Sequence, residues 1–472
     1  MLRQQKHTSV IIKSTLLISI GLFFIFQIFY LPYFMIPLAQ AQASSEFGTN
    51  VQVNTIDRGY SDQVEPTMTI LSDGRILVGW KEAHSHDGGG YRVGFSYSLD
   101  NGTTFTDNIL MQRLSSSNRQ SDPWLISDKD DNTYFVWIEF SNYPEGIGVA
   151  KTTNGGESWL PPVNAGDTPQ FDDKETACID SNGTVYIVWD HLTMAGQEVS
   201  DWDMRFTKML NGTSNFAATD VLDTQALFPY IHCSPNDTLY VSMVNVSDWE
   251  TDVYYETIEI IRSVDGGFSW SEPIVIPTGS PTVDLIQVLD TDSQENLFLA
   301  YSAGPADEKQ IYIINSTDGG NTWNTPVQVN DDIDSGNNLR MVEMFIGIND
   351  TIHIAWLDTR LGVYNIYYSY STDGGATFSE DERVSEMGFS FDFFRPGDYF
   401  CLRQDPMTGD MCIVWTDGRN GEDHDIYFAR QGLFIDSPPP IPPLWPYLVG
   451  FAVFIVVVVV LLTIMLGRRR RI

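Results

Sequence analysis

The chain has 472 residues and carries 62 acidic residues against 27 lysines and arginines, which gives a net charge of −35 at neutral pH. A surface this acidic repels phosphate backbones, so the composition argues against a nucleic-acid-binding protein. A hydrophobic fraction of 43%, with 12 tryptophans and 27 phenylalanines, excludes an intrinsically disordered chain and provides for a large core.

The first 43 residues have the organisation of a secretory signal. Basic residues precede an apolar stretch over 14–38, and two overlapping small-x-small cleavage sites end at Ala43. The pattern predicts a signal peptide over 1–43. Because the apolar stretch is long for a signal, an uncleaved signal anchor is the alternative.

The C-terminal end predicts one membrane span. Residues 447–466 are uncharged and long enough for a transmembrane helix, and the basic tail 467–472 that follows is expected to stay cytoplasmic. The Pro-rich segment 436–446 predicts a stiff stalk. We therefore expect residues 44–435 to form a domain outside the cytoplasm, anchored in the cell membrane. Seven Asn-x-Ser/Thr sequons fit an exported glycoprotein, although Asn-Gly-Thr is also common in turns.

A strand-like segment recurs seven times along this domain. The copies are spaced 52 to 59 residues apart and end at Trp80, Trp137, Trp189, Met243, Tyr301, Trp356 and Trp415. A regular period near 55 residues is typical of a β-propeller in which each repeat forms one four-stranded blade.

A turn motif keeps the same period. It begins with Ser or Thr, continues through an Asp-Gly-Gly or related sequence and ends in Trp or Phe. Good copies lie at 98–105, 152–159, 263–270, 316–323 and 371–378, with a degenerate copy at 211–216. Glycine allows the positive φ of a tight hairpin, and the final aromatic ring is expected to pack back on the blade.

This pattern, Ser/Thr-x-Asp-x-Gly-x-x-Trp/Phe, resembles the Asp box of the BNR (sialidase-like) superfamily, with Asn154 replacing the aspartate in the second copy. The resemblance covers roughly 51–432 and implies an all-β propeller. The repeat count predicts seven blades, and six, the usual number in sialidases, is the alternative. Val51-Gln52-Val53-Asn54 repeats 327–330 letter for letter, so we predict that the N-terminal strand completes the last blade and closes the ring.

The resemblance also suggests catalytic positions. In sialidases an arginine before the first-blade proline helps to grip the substrate carboxylate, but here that position is Val64. Asp87 falls near the family's general acid, and Tyr399 with Glu343 is the best match to its Tyr/Glu nucleophile pair. Since one charge-assisted hydrogen bond contributes ~1.5–3 kcal/mol, the missing arginine disfavours sialidase activity.

The four strands of a blade are lettered from a, the inner strand, to d, the outer strand. The b–c loops within the blades and the d–a loops between them form one face of the propeller. Arginines and aromatic residues are the candidate ligand contacts on this face. One reading groups four arginines into a sector for a carboxylate or sulfate: Arg340, Arg360, Arg395 and Arg419. The favoured alternative pairs Arg360 with Asp358 and Arg419 with Asp417, and these pairs would brace the loops.

Three aromatic residues are candidates for stacking on sugar rings: Trp202, Trp249 and Phe393. The alternative is that these rings plug the mouth of the channel.

Histidines and cysteines give two further hypotheses. His84, His86 and His424 could bind a divalent cation, although solvated loop histidines are more common. Cys401 could pair with Cys412 across a hairpin and Cys178 with Cys233 between blades, and buried free thiols are the alternative.

The leading functional hypothesis is a membrane-anchored propeller that recognises glycans or surface glycoproteins through its loop face. The alternatives are a sialidase-type glycoside hydrolase or lyase acting on anionic sugars, and a structural protein of the cell envelope.

Overall fold

The computed structural model describes residues 47–433, apart from short gaps at 56–61, 85–90, 141–144, 167–170, 196–197, 224–225, 247–254, 281, 306–307, 333–338, 391–396, 398 and 422. Within these residues the chain forms seven four-stranded antiparallel sheets. The predicted number of blades is confirmed, and the six-bladed alternative is wrong.

Each blade uses four consecutive strands, except that the last blade borrows its outer strand from the N-terminus. The first four blades comprise β2 (Asp62–Ile70), β3 (Ile76–Ala83), β4 (Arg92–Ser98) and β5 (Ile109–Leu110); β6 (Arg119–Ser127), β7 (Thr133–Phe140), β8 (Gly146–Thr152) and β9 (Val163–Asn164); β10 (Phe171–Ile179), β11 (Val185–Ala195), β12 (Glu198–Met209) and β13 (Asp220–Asp223); and β14 (Ala226–Cys233), β15 (Leu239–Val246), β16 (Tyr255–Ser263) and β17 (Ile274–Ile276). The last three comprise β18 (Val283–Thr291), β19 (Leu297–Ala303), β20 (Gln310–Ser316) and β21 (Val327–Gln328); β22 (Arg340–Ile346), a 3₁₀ helix (Ile348–Asp350), β23 (Ile352–Asp358), β24 (Asn365–Ser371) and β25 (Glu382–Arg383); and β26 (Cys401–Gln404), β27 (Met411–Asp417), β28 (Asp425–Arg430) and β1 (Val51–Gln52).

The seven inner strands surround a central channel, because each contacts the next and β26 contacts β2. Apolar β-branched and aromatic residues favour the strands. They form hydrophobic clusters between neighbouring blades, as where Val136 of the second blade packs with Trp189 of the third. The tryptophans of the second strands, among them Trp80 and Trp356, have no exposed surface. The periodic sequence therefore builds a core shared by adjacent blades.

The N-terminal strand closes the ring as predicted. Val51 pairs with Phe428 in β28, and the Val53 amide donates to the carbonyl of Ile426 at 2.8 Å. The Phe105 ring of the first blade packs on Phe428, with ring centroids 5.5 Å apart. First and last blades are thus joined by backbone pairing and by side-chain packing.

The Asp boxes are self-contained hydrogen-bonded turns. In the fifth blade the Thr322 amide and hydroxyl donate to Asp318 at 2.8 and 2.7 Å, and the Gly320 amide donates to the Ser316 hydroxyl at 2.9 Å. Gly320 adopts a φ of +87°, which strains any residue with a Cβ. Three terminal aromatic rings (Phe105, Trp159 and Trp270) each contact a phenylalanine of the preceding blade, so these turns also fasten neighbouring blades.

One of the two cysteine predictions is confirmed. Cys178 and Cys233 form a disulfide between β10 and β14, with their Cα atoms 5.8 Å apart. The Cys401–Cys412 pairing is wrong, because Gln404 pairs with Met411 and this register places Cys401 opposite Val414. Both of these thiols are free and buried.

The predicted signal, stalk and membrane segment lie outside the described residues. No helix within the described part of the chain is long and apolar enough to cross a membrane.

Candidate functional site

The candidate site lies where the inner strands begin, on the face formed by the b–c and d–a loops. Five of these strands contain a β-bulge at the same position, and the bulge residues have positive φ: Glu65, Asp122, Lys174, Phe228 and Met341. A bulge re-aims the side chains that follow it. The backbone of the inner ring therefore repeats.

The side chains after the bulge do not repeat. In blades two to six, the first paired residue after the register shift differs in each blade: Trp124, Thr176, Tyr230, Gln287 and Glu343. All five line one cavity inside the channel, and Glu175 and Tyr399 line it too. Its volume is about 40 Å³, room for on the order of three water molecules. Equivalent positions that hold different side chains in each blade allow a propeller to form a specific binding or catalytic site.

A chain of buried ion pairs runs beside this cavity from the first blade to the third. Lys81 Nζ lies 3.2 Å from Glu65 Oε2 and 3.8 Å from Asp122 Oδ1, and Lys174 Nζ lies 2.9 Å from Asp122 Oδ2. Although burial raises the pKa of Asp122, the ammonium groups of Lys174 and Lys81 lower it below its usual range. The two lysines are thus matched by carboxylates within the wall.

Glu175 has a different environment. Its side chain is 3% exposed, and neither carboxylate oxygen accepts a hydrogen bond from another described residue. Burial raises the pKa of Glu175 well above its usual range, and the Asp122 carboxylate adds to the shift. Burial also raises the pKa of Asp190, whose Oδ2 accepts from the Phe228 amide at 2.9 Å. Carboxyl groups that favour the protonated form therefore collect at this side of the cavity.

Glu343 lies in the cavity wall on β22. Burial raises its pKa to about 8, although Arg403 Nη1, 3.8 Å from Oε2, favours the charged form. Burial, reinforced by Glu343, raises the pKa of the Tyr230 phenol. The Tyr399 hydroxyl donates to the Pro123 carbonyl at 3.2 Å. The structure thus brings the predicted Glu343 and Tyr399 into one cavity.

The arginines of the predicted sector do not all point to a ligand. Arg360 Nε donates to Asp358 at 2.8 Å and Nη2 to Asp381 at 2.7 Å, and Arg419 Nη2 donates to Asp417 at 2.7 Å. The two guanidinium groups also stack on tyrosine rings of the same blades. These contacts match the bracing alternative. Arg340 begins β22, half-buried, and is not among the residues that line the cavity.

The other predicted site residues are dispersed. Trp202 packs with Leu192 and Leu227, beside the cavity residue Phe228. His424 Nδ1 contacts the buried Asp62 carboxylate, whereas the His84 ring lies against Tyr91. No cluster of three potential metal ligands occurs among the described residues. The predicted residues Asp87, His86, Arg395, Trp249 and Phe393 lie outside the described residues.

Sequence reasoning missed Glu175, although a signal exists. Blades one, two and four carry a proline after the bulge residue (Pro66, Pro123 and Pro229), and Glu175 stands at the equivalent position of blade three. A carboxylate in place of a proline on an inner strand marks a departure from the repeat. In the sequence alone, the four consecutive charged residues 172–175 are typical of a solvent-exposed segment, and this pattern conceals Glu175.

A second cavity of about 400 Å³ lies at the opposite end of the channel, lined by the ends of inner strands and their turns. Its carboxylates accept hydrogen bonds from turns and from the neighbouring inner strand. Asp237 accepts from the Ser181 amide and hydroxyl at 2.8 and 2.7 Å, and Asp290 accepts from the Ile346 amide at 2.7 Å. We assign this end a structural role.

Comparison with known proteins supports the fold. No protein-family model and no curated protein matches the chain. Among solved structures, a protein of unknown function from Dyadobacter fermentans is similar with a TM-score of 0.51 and 12% identity, covering 81% of this chain and 97% of that one. An ulvan lyase, a polysaccharide lyase bound to -[GlcA(1-4)Rha3S]-, is similar with a TM-score of 0.52 and 13% identity, covering 78% and 94%.

The NanB sialidase from Streptococcus pneumoniae gives a TM-score of 0.44 at 11% identity, covering 82% of this chain and 71% of that one. The chain is a seven-bladed β-propeller. Its similarity to these proteins is distant and is a similarity of fold.

Proposed function

We propose that the protein binds carbohydrate at the cavity where the inner strands begin. The observation that carries the proposal is the meeting of aromatic residues, Trp124, Tyr230 and Tyr399, with the carboxyl groups of Glu175 and Glu343 around one opening. Sugar rings pack their apolar faces on aromatic rings, and their hydroxyl groups hydrogen-bond to carboxyl groups. A propeller of similar fold is bound to a saccharide, in line with this proposal.

The charges favour a neutral or cationic sugar over sialic acid. Arg360 and Arg419 are committed to carboxylates of their own blades, and Lys174 is held by Asp122. A carboxylate ligand would meet Glu175 and Glu343, and no arginine is among the described residues that line the cavity to grip it. The neutral or cationic sugar would belong to a glycan of a cell surface or of a surface glycoprotein, and the protein would act as a receptor for that glycan.

Glycoside cleavage is the second candidate, and Glu343 is the observation that favours it. A pKa of about 8 keeps this carboxyl protonated at neutral pH, as a general acid requires. Tyr399 lines the same cavity. Hydrolysis or lyase chemistry would use Glu343 as the proton donor.

Glycan-array binding and assays with fluorogenic glycosides distinguish the two functions. Binding without turnover, weakened by Glu343→Gln, supports the receptor. Turnover that Glu343→Gln abolishes while binding remains supports the enzyme. Glu157→Gln, which changes an exposed glutamate of the second Asp box, is the matched control and leaves both readouts unchanged. A purified, folded protein that binds no glycan contradicts the proposal.

We also propose that the propeller lies outside the cytoplasm, tethered by residues 447–466. The Cys178–Cys233 disulfide supports this location, because disulfides persist mainly in oxidising compartments. Protease added to intact cells should degrade the propeller. Protection of the propeller in intact cells but not in lysed ones would contradict the proposal.

A further inference from the structure

The environment of Glu175 calls for a partner that the described chain does not supply. The side chain is 3% exposed, it lines the cavity, and neither oxygen accepts a hydrogen bond from another described residue. A buried carboxyl group without partners is costly, so native proteins rarely keep one without a use. Because Glu175 lies in the cavity wall, we infer that its carboxyl group serves to bind a ligand.

The cations nearest the cavity are already matched. Lys174 Nζ lies 2.9 Å from Asp122 and 3.8 Å from Asp173, so two carboxylates share one ammonium group. Arg403 Nη1, 3.8 Å from Glu343, donates a hydrogen bond to the Leu402 carbonyl at 2.7 Å. Glu175 and Asp190 interact with the same Lys174 ammonium group only at longer range, and neither forms an ion pair within the described part of the chain. The cavity is therefore complementary to a positive charge.

The remaining wall suits an ammonium group. Trp124, Phe228, Tyr230 and Tyr399 line the same cavity, and aromatic faces attract a desolvated cation. A volume of about 40 Å³ admits a group the size of a few water molecules. The shape thus fits one small cationic substituent entering from a ring held outside.

We propose that this cavity binds the ammonium group of an amino sugar, with Glu175 as its counter-ion. The inference rests on the proposed carbohydrate-binding function and names the class of sugar. The ring of the sugar lies at the cavity mouth, while its amine enters and replaces water. An N-acetylated amine carries no charge for the Glu175 carboxylate to balance.

Binding is expected to release a proton near neutral pH. In the free protein burial favours the protonated carboxyl of Glu175, and an entering ammonium group favours the carboxylate. The released proton goes to the buffer. The titratable groups around Glu175 are Asp173 and Lys174 on its own strand, Asp122 on β6, Asp190 on β11, and the cavity residues Tyr230, Glu343 and Tyr399.

Calorimetry on the purified full-length protein tests the proposal with a glucosamine trimer and its N-acetylated counterpart. We expect the amine form to bind at least about tenfold more tightly, since a buried charged pair and cation–π contacts favour it. Repeating the titration in buffers of different ionisation enthalpy should show proton release. Glu175→Gln should remove the preference, whereas the control Glu157→Gln should retain it.

The outcomes separate this inference from the function on which it rests. Equal binding of the two trimers, or binding only of other glycans on an array, overturns the ammonium site and leaves carbohydrate binding intact. Absence of any glycan binding overturns both. Should Glu175→Gln fail to fold, methylammonium chloride decides the matter with the wild type: it should raise the melting temperature more than potassium chloride of equal concentration, and an equal effect of the two salts overturns the inference.

Discussion

The Asp-box turns and the channel cavity use the same kind of side chain in opposite ways. In the turns, hydrogen bonds from the following hydroxyl and amide groups lower the pKa of Asp265, Asp318 and Asp373 to about 2. In the cavity, burial raises the pKa of Glu343 to about 8 and that of Glu175 well above its usual range. The turns recur from blade to blade with satisfied carboxylates, whereas the cavity carboxyl groups occur once each.

This difference separates the frame of the molecule from its candidate site. Residues that repeat at one register hold the blades together, and their polar atoms find partners within the repeat. Residues that break the repeat retain unmet hydrogen-bonding capacity, which a ligand can use. Substitutions in the frame should therefore change stability without changing affinity. Substitutions in the cavity should change affinity and, at Glu343, also the pH dependence of stability.

The largest effect is expected from removing a frame tryptophan. Trp356 is fully buried, and its Nε1 donates to Asp358 at 3.1 Å. Trp356→Ala should lower the free energy of unfolding by about 3–5 kcal/mol, because it leaves a cavity between two blades. Urea unfolding measures this, with Phe268→Ala, an exposed ring on an Asp-box turn, as the control. A loss in the free energy of unfolding no larger than that of the control would contradict the assignment of Trp356 to the frame.

Removing the disulfide should have the next largest effect. Cys178 and Cys233 are 55 residues apart in sequence, so their bond restricts a long loop of the unfolded chain. The double substitution to serine should lower the free energy of unfolding by about 2–5 kcal/mol. The affinity for glycans should not change in the folded fraction. A protein equally stable with and without the bond would show that the non-covalent contacts between these blades suffice.

Glu343→Gln should stabilise the folded protein relative to the wild type, and this gain in the free energy of unfolding should grow as the pH rises. Below the ordinary glutamate pKa of 4.5 both folded and unfolded chains are protonated at this residue, and its burial costs little. Between 4.5 and about 8 the unfolded chain ionises while the folded protein stays protonated, so wild-type stability is progressively lost. The variant avoids this loss, which amounts to a few kcal/mol. Urea unfolding at several pH values checks it, and a pH-independent difference would contradict the raised pKa.

The smallest effect is expected within the frame itself. Asn154 in the second Asp box donates to the Ser158 hydroxyl at 2.9 Å, where the other boxes have an accepting aspartate. Asn154→Asp should change the free energy of unfolding by no more than about 0.5 kcal/mol, because the serine hydroxyl can rotate and donate instead. Thermal unfolding measures it. A large loss would mean that this box is not equivalent to the others.

The frame could be predicted because its signals are local and repeated. Val51-Gln52-Val53-Asn54 was matched to 327–330 from letters alone, and the structure gives both segments the same role. The Asn54 side chain accepts from the Ile426 amide at 2.8 Å, and Asn330 accepts from the Ile311 amide at 2.9 Å. Identical turn and edge chemistry in each blade makes the register readable without coordinates.

The site was predicted only in part, because it depends on contacts between distant strands. The resemblance to sialidases predicts Glu343 and Tyr399 as site residues, and the structure brings them to one cavity. Glu175 was missed since its burial follows from the ring and not from its neighbours in sequence. The Cys401–Cys412 pairing is wrong for a related reason. It needs a hairpin centred at Pro406–Met407, whereas the observed register, with Gln404 opposite Met411, is centred one residue later.

A structure of the protein with a bound glucosamine trimer tests the central claim most directly. We predict a sugar ring at the cavity mouth, beside Trp124 or Tyr399, with its amine nitrogen within about 3.2 Å of the Glu175 carboxylate. A saccharide bound to the Asp-box face or to the outer edges of the blades, with only water around Glu175, would contradict the assignment of this cavity as the binding site.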